Sequence, residues 1–438
     1  MKVAIVGTGI SGLTAALCLD KQYDITLFEK EYRVGGHTNT VNVDIEGEKI
    51  PIDTGFIVFN DKNYPMFSNM LKSMKIQTEW SDMSFGFSLN SGKMEYACDN
   101  IDKIFSQKIN LLKPKFINGF LDVLRFQRLS VEDLKNGNIG NLSLGDYLEK
   151  RKFSSWLKNN YLLPIGASIW SSSTSNMLEF PAQNFISFFK NHDLMTGLKP
   201  AQRWRTVTGG SQTYIEKIRS QFSGSIKRKC EVTSIISERG RLKITLLDGS
   251  FETFDHVILC CNASASRKIL HHNQSNYAHH FKNLNVSKNL CVLHSDETLM
   301  PKRKKVWSSW NFLSRGELID RESPVSLSYW MNRLQNISKK NQFFLSLNPQ
   351  KSIAEEKIFS KIYYEHPIMN LESFDAQKKI KAIQGKNNIW FAGAWLGNGF
   401  HEDGVVSALD VCKNFVELPG WTFDGKINNF GESLQAAE

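Results

Sequence analysis

The sequence predicts an α/β protein whose N-terminus opens a parallel sheet, and three observations carry that prediction. Lys2 to Val6 is a short apolar strand that runs into Gly7, Gly9 and Gly12, spaced G-x-G-x-x-G, and then into a helical stretch from Leu13 to Leu19. A second strand, Ile25 to Phe28, ends in an acid, Glu29, 22 residues after Gly7. The chain has 438 residues, 41% apolar and 22% charged, which excludes a disordered or fibrous protein. Its length allows a large core and about two or three domains.

Each part of the N-terminal unit has a physical task. Gly7 permits the tight turn, Gly9 lets a pyrophosphate approach the backbone, and Gly12 lets helix and strand pack closely. The helix start at Ile10 and Ser11 presents free N–H groups and a partial positive charge to phosphates. Glu29 falls where a ribose-binding carboxylate belongs. The alternative is a packing turn without a ligand, and strands, helix and acid in register favour dinucleotide binding. A signal peptide, which the basic start and apolar run of residues 2–19 imitate, is disfavoured by the three glycines and by the lack of a small-residue cleavage site.

Glu29-Lys30 then leads through Arg33 to Gly35-Gly36 and His37-Thr38. This resembles the flavin-type extension of the fingerprint seen in the amine oxidase and phytoene desaturase superfamily. The glycine doublet brings backbone close to the cofactor, and Arg33 neutralises phosphate. Many amine oxidases have arginine after the doublet, where this chain has His37. Near the other end, a strand ending Trp390-Phe391-Ala392 meets Gly393, Ala394 and a Gly-rich loop, then His401-Glu402-Asp403-Gly404-Val405 at the start of a helix. The superfamily has a similar F-A-G…E-G-A-x-x-S motif that binds the ribityl-phosphate. Many relatives carry Asp or Glu where Ala394 stands, and Glu402 or Asp403 is the replacement candidate.

Between these motifs the residues Val41 to Ile52 read as a hairpin, followed by Asp53-Thr54-Gly55-Phe56, a loop that the superfamily sets against the flavin at Gly55 and Phe56. Tyr64 to Met74 is helical. Phe85 to Leu89 and Lys93 to Ala97 form a second hairpin. Residues 101–192 are mostly helical, with Ser143 and Asp146 as a cap and Pro181 in a first turn. Phe185, Phe188 and Phe189 read as a core face, with a pocket wall as the alternative. Strands recur from Cys230 to Cys261. By resemblance, Val232 lies at the adenine and Cys260 near the pyrophosphate. Further strands are expected at Asn289–Asp296, Val306–Phe312, Pro324–Met331 and Gln342–Leu347.

The segments GGHTNT, DTGFIVFN, ASIWS, WRTVTGGSQTY, SLSYWMNRLQ and WFAGAWLGNGFHEDGVVSAL resemble a bacterial group of FAD-dependent, amine-oxidase-like proteins, over residues 1 to about 415. The resemblance implies a Rossmann-type FAD-binding domain of the glutathione-reductase and amine-oxidase kind, discontinuous over 1–60, 205–275 and 385–420. It implies an inserted α+β substrate domain over 61–204 and 276–384, with a tail at 421–438. FAD is held noncovalently. Members of the group are often linked to cyclopropane or methyl fatty-acyl synthesis genes, so a lipophilic, acyl-lipid substrate is implied.

Within this reading the flavin carries the redox chemistry, with hydride transfer from a C–H bond. His401 is the acid–base candidate, or else a residue that only hydrogen-bonds its loop. Trp170, Trp204, Trp310, Tyr329 and Trp330 are the expected substrate walls. Trp330 with Tyr329 offers an aromatic pair for the alternative substrate, an amine. A non-redox binding protein on the same fold, as in Rab escort-type proteins, is the third reading.

Seven scattered cysteines without a C-x-x-C pair indicate neither a disulfide framework nor a zinc site, and fit a reducing, cytoplasmic compartment. Cys260 and Cys261 read as buried strand residues. No run of about 18 apolar residues occurs, so no spanning helix is expected. The net charge of +10 allows peripheral contact with an anionic inner-membrane surface, and no nucleic acid is expected. The basic run Lys302-Arg303-Lys304-Lys305 reads as a solvated loop. The electron acceptor is not encoded in any motif.

Overall fold

The computed structural model describes residues 1–195, 203–271, 275–315 and 325–422. Its first sheet has five parallel strands in the order Ile389–Phe391, His256–Leu259, Lys2–Val6, Asp24–Glu29 and Ser225–Arg228. Lys2–Val6 takes the centre because Val3 to Val6 are apolar and buried, the pattern of a strand covered on both faces. The edge strand Ser225–Arg228 carries no strand signal in the sequence: it is four residues long, and its edge position asks for no apolar alternation. A three-stranded antiparallel meander, Val232–Glu238, Arg241–Leu246 and Phe251–Phe254, is inserted before the strand His256–Leu259 returns to the parallel sheet.

The helices Ile10–Leu19 and His401–Cys412 lie side by side. They touch where a Cβ on Gly404 would come within 2.6 Å of Ile10 Cγ2. Two helix N-termini from opposite ends of the sequence thus meet beyond the carboxyl ends of the parallel strands, the ligand position of an open α/β sheet.

The second sheet has seven strands: Ile358–Pro367, Val286–His294, Phe344–Leu347, Leu327–Trp330, Trp310–Leu313, Phe85–Leu89 and Met94–Ala97. All its pairs are antiparallel except Trp310–Leu313 with Phe85–Leu89. The strand expected from Val306 begins only at Trp310, because Lys304–Val306 winds into a 3-10 turn. Pro324, at the start of another expected strand, lies outside the described residues, as do 423–438 of the tail. Helices between Pro114 and Asn191 complete this half. Ser143 caps its helix by accepting from the Asp146 amide at 3.1 Å.

Candidate functional site

The glycine loop shows why its residue types are needed. A Cβ on Gly12 would lie 2.0 Å from the carbonyl oxygen of Gly7, and one on Gly7, whose φ is +101°, would meet the backbone of Cys260 and Cys261 at 3.0 Å. Neither position accepts a side chain. Gly9 differs: a Cβ there meets nothing within 4 Å, and its backbone is ordinary (φ −68°). The space beside Gly9 is therefore open, at the N-terminus of a helix that no side chain caps and that holds no acid in its first turn. That is a cradle for a pyrophosphate. A Cβ on Gly36, which has φ +59°, would lie 3.0 Å from the Cα of Gly9, so the two glycines leave no room for a side chain between them.

Glu29 is buried at the end of its strand beside this loop. One carboxylate oxygen accepts from the Thr8 amide (3.1 Å) and the Thr8 hydroxyl, and the other from the Glu31 amide (3.0 Å). Thr8 also accepts the Gly35 amide through its carbonyl. The acid, the first glycine loop and the Gly35-Gly36 doublet are one hydrogen-bonded unit. Arg33, expected at a phosphate, donates to the carbonyls of Thr38 (2.6 Å) and Gly36 (2.7 Å) and so holds the doublet's turn. Lys30 is exposed and paired with Glu31. Val232 is buried at the start of the meander, next to the strand end at Glu29, whose carbonyl accepts the Cys230 amide.

The acids of the C-terminal loop are engaged in backbone hydrogen bonds. Glu402, expected at the cofactor, accepts from the amides of Met66 (2.8 Å) and Phe67 (2.9 Å). It caps the helix Pro65–Ser73, whose first turn leaves those N–H groups without an intrahelical acceptor. Burial pushes its carboxyl up to about 8 against these bonds. Asp403 turns into its own loop: it accepts from the Phe400 amide (2.8 Å) and lies where a Cβ on Gly397 would collide with it. Burial raises it to about 6. Gly393 donates to Ser407 Oγ (2.9 Å), and the Ala394 carbonyl closes the loop by accepting from Gly397 and Gly399. Val405 is fully buried behind them.

His401 stacks on Phe56 at 3.7 Å between ring centroids. Its Nε2 lies 3.1 Å from both the Thr38 and the Tyr214 hydroxyls. Burial, with His37 adding a smaller push, holds its pKa well below the usual histidine range. A proton-transfer group works best with a pKa near the operating pH, and this ring is neutral there. The geometry makes it an anchor that joins the helix His401–Cys412, the Gly55-Phe56 loop and the Gly36-Thr38 turn. Gly55 is required by the same junction, since a Cβ there would strike the His37 carbonyl at 2.1 Å.

Tyr364 and His366 carried no sequence signal, and Asp53 was legible only as the start of its loop. Tyr364, on a strand more than 300 residues from the glycine doublet, stacks on His37 (5.0 Å) and hydrogen-bonds Asn39 and Thr54. His366 lies beyond it, 5.4 Å from His37. Burial lowers both histidines, His37 to about 4 and His366 to about 3. Asp53 is fully buried and accepts from Thr40, from the Ser211 amide and hydroxyl, and from Gln335. It ties three distant segments together.

The expected substrate residues divide. Trp170 lies against Phe188 (4.8 Å) and Phe400 (6.1 Å) and donates to the Asn398 carbonyl (3.1 Å), so it borders the His401 loop. Trp310 and Tyr329 meet edge to face at 4.8 Å. Among the described residues the buried Trp310 Nε1 has no hydrogen-bond partner. Trp204 stacks on His192, which stacks on Phe188. Trp330 does not join them: it packs on Trp307 and donates to Gln342. Neighbours on a strand face opposite sides, so the aromatic pair of Tyr329 with Trp330 does not exist.

A family model described as flavin containing amine oxidoreductase matches residues 10–294, more than half of the chain. The chain belongs to that family. It is an FAD-dependent oxidoreductase, with the flavin held noncovalently. Solved structures share the fold. A CLA-producing fatty acid isomerase from P. acnes matches with a TM-score of 0.66 at 15% identity, over 95% of this chain and 98% of its own. Cyclohexylamine oxidase from Brevibacterium oxydans IH-35A matches at 0.66 and 12%, over 94% and 99%. Putrescine oxidase bound to putrescine matches at 0.62 and 14%, over 94% and 99%. FAD fits the residues present: the open space at Gly9, the uncapped helix start at Ile10 and Ser11, and Glu29 at the strand end.

Proposed function

We propose that this flavoenzyme dehydrogenates a lipophilic substrate, an unsaturated or methyl-branched fatty-acyl lipid, at carbon. One observation carries the reading: the side chains around the His401 loop are aromatic or held neutral, apart from Asp403, which its own loop amides occupy. Trp170, Phe188, Phe400 and Phe56 supply apolar surface. His37, His366 and His401 are all held neutral by burial. Glu402 is pushed up to about 8, and Asp403 is spent on its loop amides. An ammonium substrate would call for a free carboxylate or a confined aromatic pair, while an acyl chain needs mainly apolar walls.

FAD, when bound, supplies the two-electron acceptor for a hydride leaving the substrate carbon. The protein's residues do the rest. Gly9, Ile10, Ser11 and Glu29 hold the cofactor. Thr38, Tyr214 and Phe56 fix His401, and through it the loop from Gly393 to Phe400. The aromatic walls exclude water and orient the chain, and Trp310 Nε1 offers a donor to a substrate oxygen. The proton released from the neighbouring carbon leaves to solvent or to a substrate group.

The family match supports amine oxidation as the second reading. Anaerobic mixing of the purified flavoprotein with acyl lipids and, separately, with primary and secondary amines distinguishes the two. Bleaching of the flavin by a lipid is the expected result. Bleaching by amines alone overturns the proposal in favour of an amine oxidase.

A further inference from the structure

We propose that the segment from Ile101 to Arg128 is a membrane-docking surface that binds an anionic lipid bilayer. Thirteen large apolar side chains are exposed among the described residues, and six of them, Ile101, Ile109, Leu111, Leu112, Leu121 and Leu124, fall in this short stretch. Exposed apolar residues scattered along a chain need no explanation, whereas six within 24 residues do.

Their placement follows from the elements that carry them. Lys108–Leu112 is a 3-10 turn, in which residues three apart share a face, so Ile109 and Leu112 project together while Asn110 is buried. Pro114 then starts the helix Pro114–Lys135. Phe116, Gly119, Val123 and Phe126 form its buried stripe. Leu121 and Leu124, with half-buried Ile117, form a second apolar stripe on the opposite side. A helix of a water-soluble protein keeps one apolar stripe for its core, and the second lies open.

The charge around the patch selects the occupant. Residues 101–128 hold six cations (Lys103, Lys108, Lys113, Lys115, Arg125, Arg128) and two acids (Asp102, Asp122), a net of 6 − 2 = +4. Lys103 and Arg125 are paired with acids, whereas Lys108, Lys113, Lys115 and Arg128 are exposed and make no ion pair among the described residues. An apolar stripe rimmed by unpaired lysines is the chemistry of a helix lying in the interface of an anionic bilayer. A second copy of the chain would bring like charges together. No helix among the described residues is long and apolar enough to cross a membrane.

The patch also backs onto the site. Gly119 packs directly on Trp156, since a Cβ there would lie 2.1 Å from that ring. Residues 158–162 continue as a π-helical turn into the helix Leu163–Trp170, which ends at the Asn398 carbonyl of the His401 loop. The docking claim itself does not depend on the substrate.

The test uses the FAD-loaded, full-length protein and flotation with two kinds of vesicle, phosphatidylcholine alone and phosphatidylcholine mixed with phosphatidylglycerol. Binding is expected only to the mixed vesicles, falling with salt. The triple variant Leu111→Glu, Leu112→Glu, Leu121→Glu should lose partitioning by at least about tenfold, because each leucine withheld from the apolar phase is worth that much. Leu247→Glu, an equally exposed leucine on the meander, should bind as wild type. Flavin absorbance and circular dichroism confirm that each variant is folded. Failure of wild type to float with anionic vesicles overturns the proposal. So does unchanged flotation of the folded triple variant, or a wild-type dimer that the triple variant dissociates. None of these outcomes bears on which substrate bleaches the flavin.

Discussion

Gly9 and Gly12 stand in one loop, three residues apart, yet replacing each by alanine should have opposite consequences. At Gly12 the new methyl would lie 2.0 Å from a backbone oxygen, Gly7 O. Backbone does not rotate away as a side chain can, so the helix Ile10–Leu19 must shift off its strand. Overpacking of this kind costs about 1–3 kcal/mol, and Gly12→Ala should lower the apoprotein's stability by at least that much. At Gly9 a methyl meets nothing within 4 Å and the backbone is ordinary. Gly9→Ala should leave apoprotein stability within about 1 kcal/mol of wild type, because the lower entropy of the unfolded chain offsets the poorer N-cap that alanine makes. The same methyl fills the space reserved for the pyrophosphate. Losing two charge-assisted amide bonds there costs roughly 3–6 kcal/mol, or about 10²–10⁴-fold in FAD affinity. Thermal unfolding of the apoproteins and fluorescence titration with FAD read the two quantities separately. An apo Gly9→Ala that is clearly destabilised, or that binds FAD like wild type, would refute the assignment of this space.

Three further outcomes are expected. Glu29→Ala should weaken FAD binding by about 1–3 kcal/mol, the worth of charged hydrogen bonds to a ribose; unchanged affinity in the titration contradicts that contact. Glu402 titrates near its ordinary 4.5 when unfolded and near about 8 when folded. Its contribution to stability is full below pH 4.5 and is lost as pH rises through 8, whereas the lowered His37 and His366 lose theirs only as pH falls below 6.5. Apoprotein stability should therefore decline between pH 6.5 and 8, and Glu402→Gln should flatten that decline; an equal slope in both proteins counts against the shift. Trp330→Ala should lower stability by about 2–3 kcal/mol through lost packing on Trp307 while leaving the rate of flavin reduction unaltered. A stopped-flow rate that drops with this variant would return Trp330 to the substrate wall.

What the sequence determined by itself is local. Gly7, Gly9 and Gly12 between a strand and a helix, and Glu29 at the next strand's end, are legible because turn, strand and helix impose fixed short spacings. The same holds for the Ser143 cap and for the glycine doublet at 35–36. Residue type was legible too: an aromatic-rich insertion, scattered thiols, no metal-ligand spacing. What only the tertiary structure decided is which distant groups meet and which way side chains face. Tyr364 reaches Asn39 and Thr54, Asp53 gathers Ser211 and Gln335, and Glu402 caps the helix that begins at Pro65. Each is a long-range contact whose register is set by sheet pairing and by the packing of two helices at Gly404 on Ile10. Nothing in the linear order marks them. Strand pleating likewise sends Trp330 away from Tyr329. Burial, which no spacing reveals, lowers the His401 pKa well below the usual histidine range. Packing decided these points because a side chain's partners and its desolvation are properties of the assembled core.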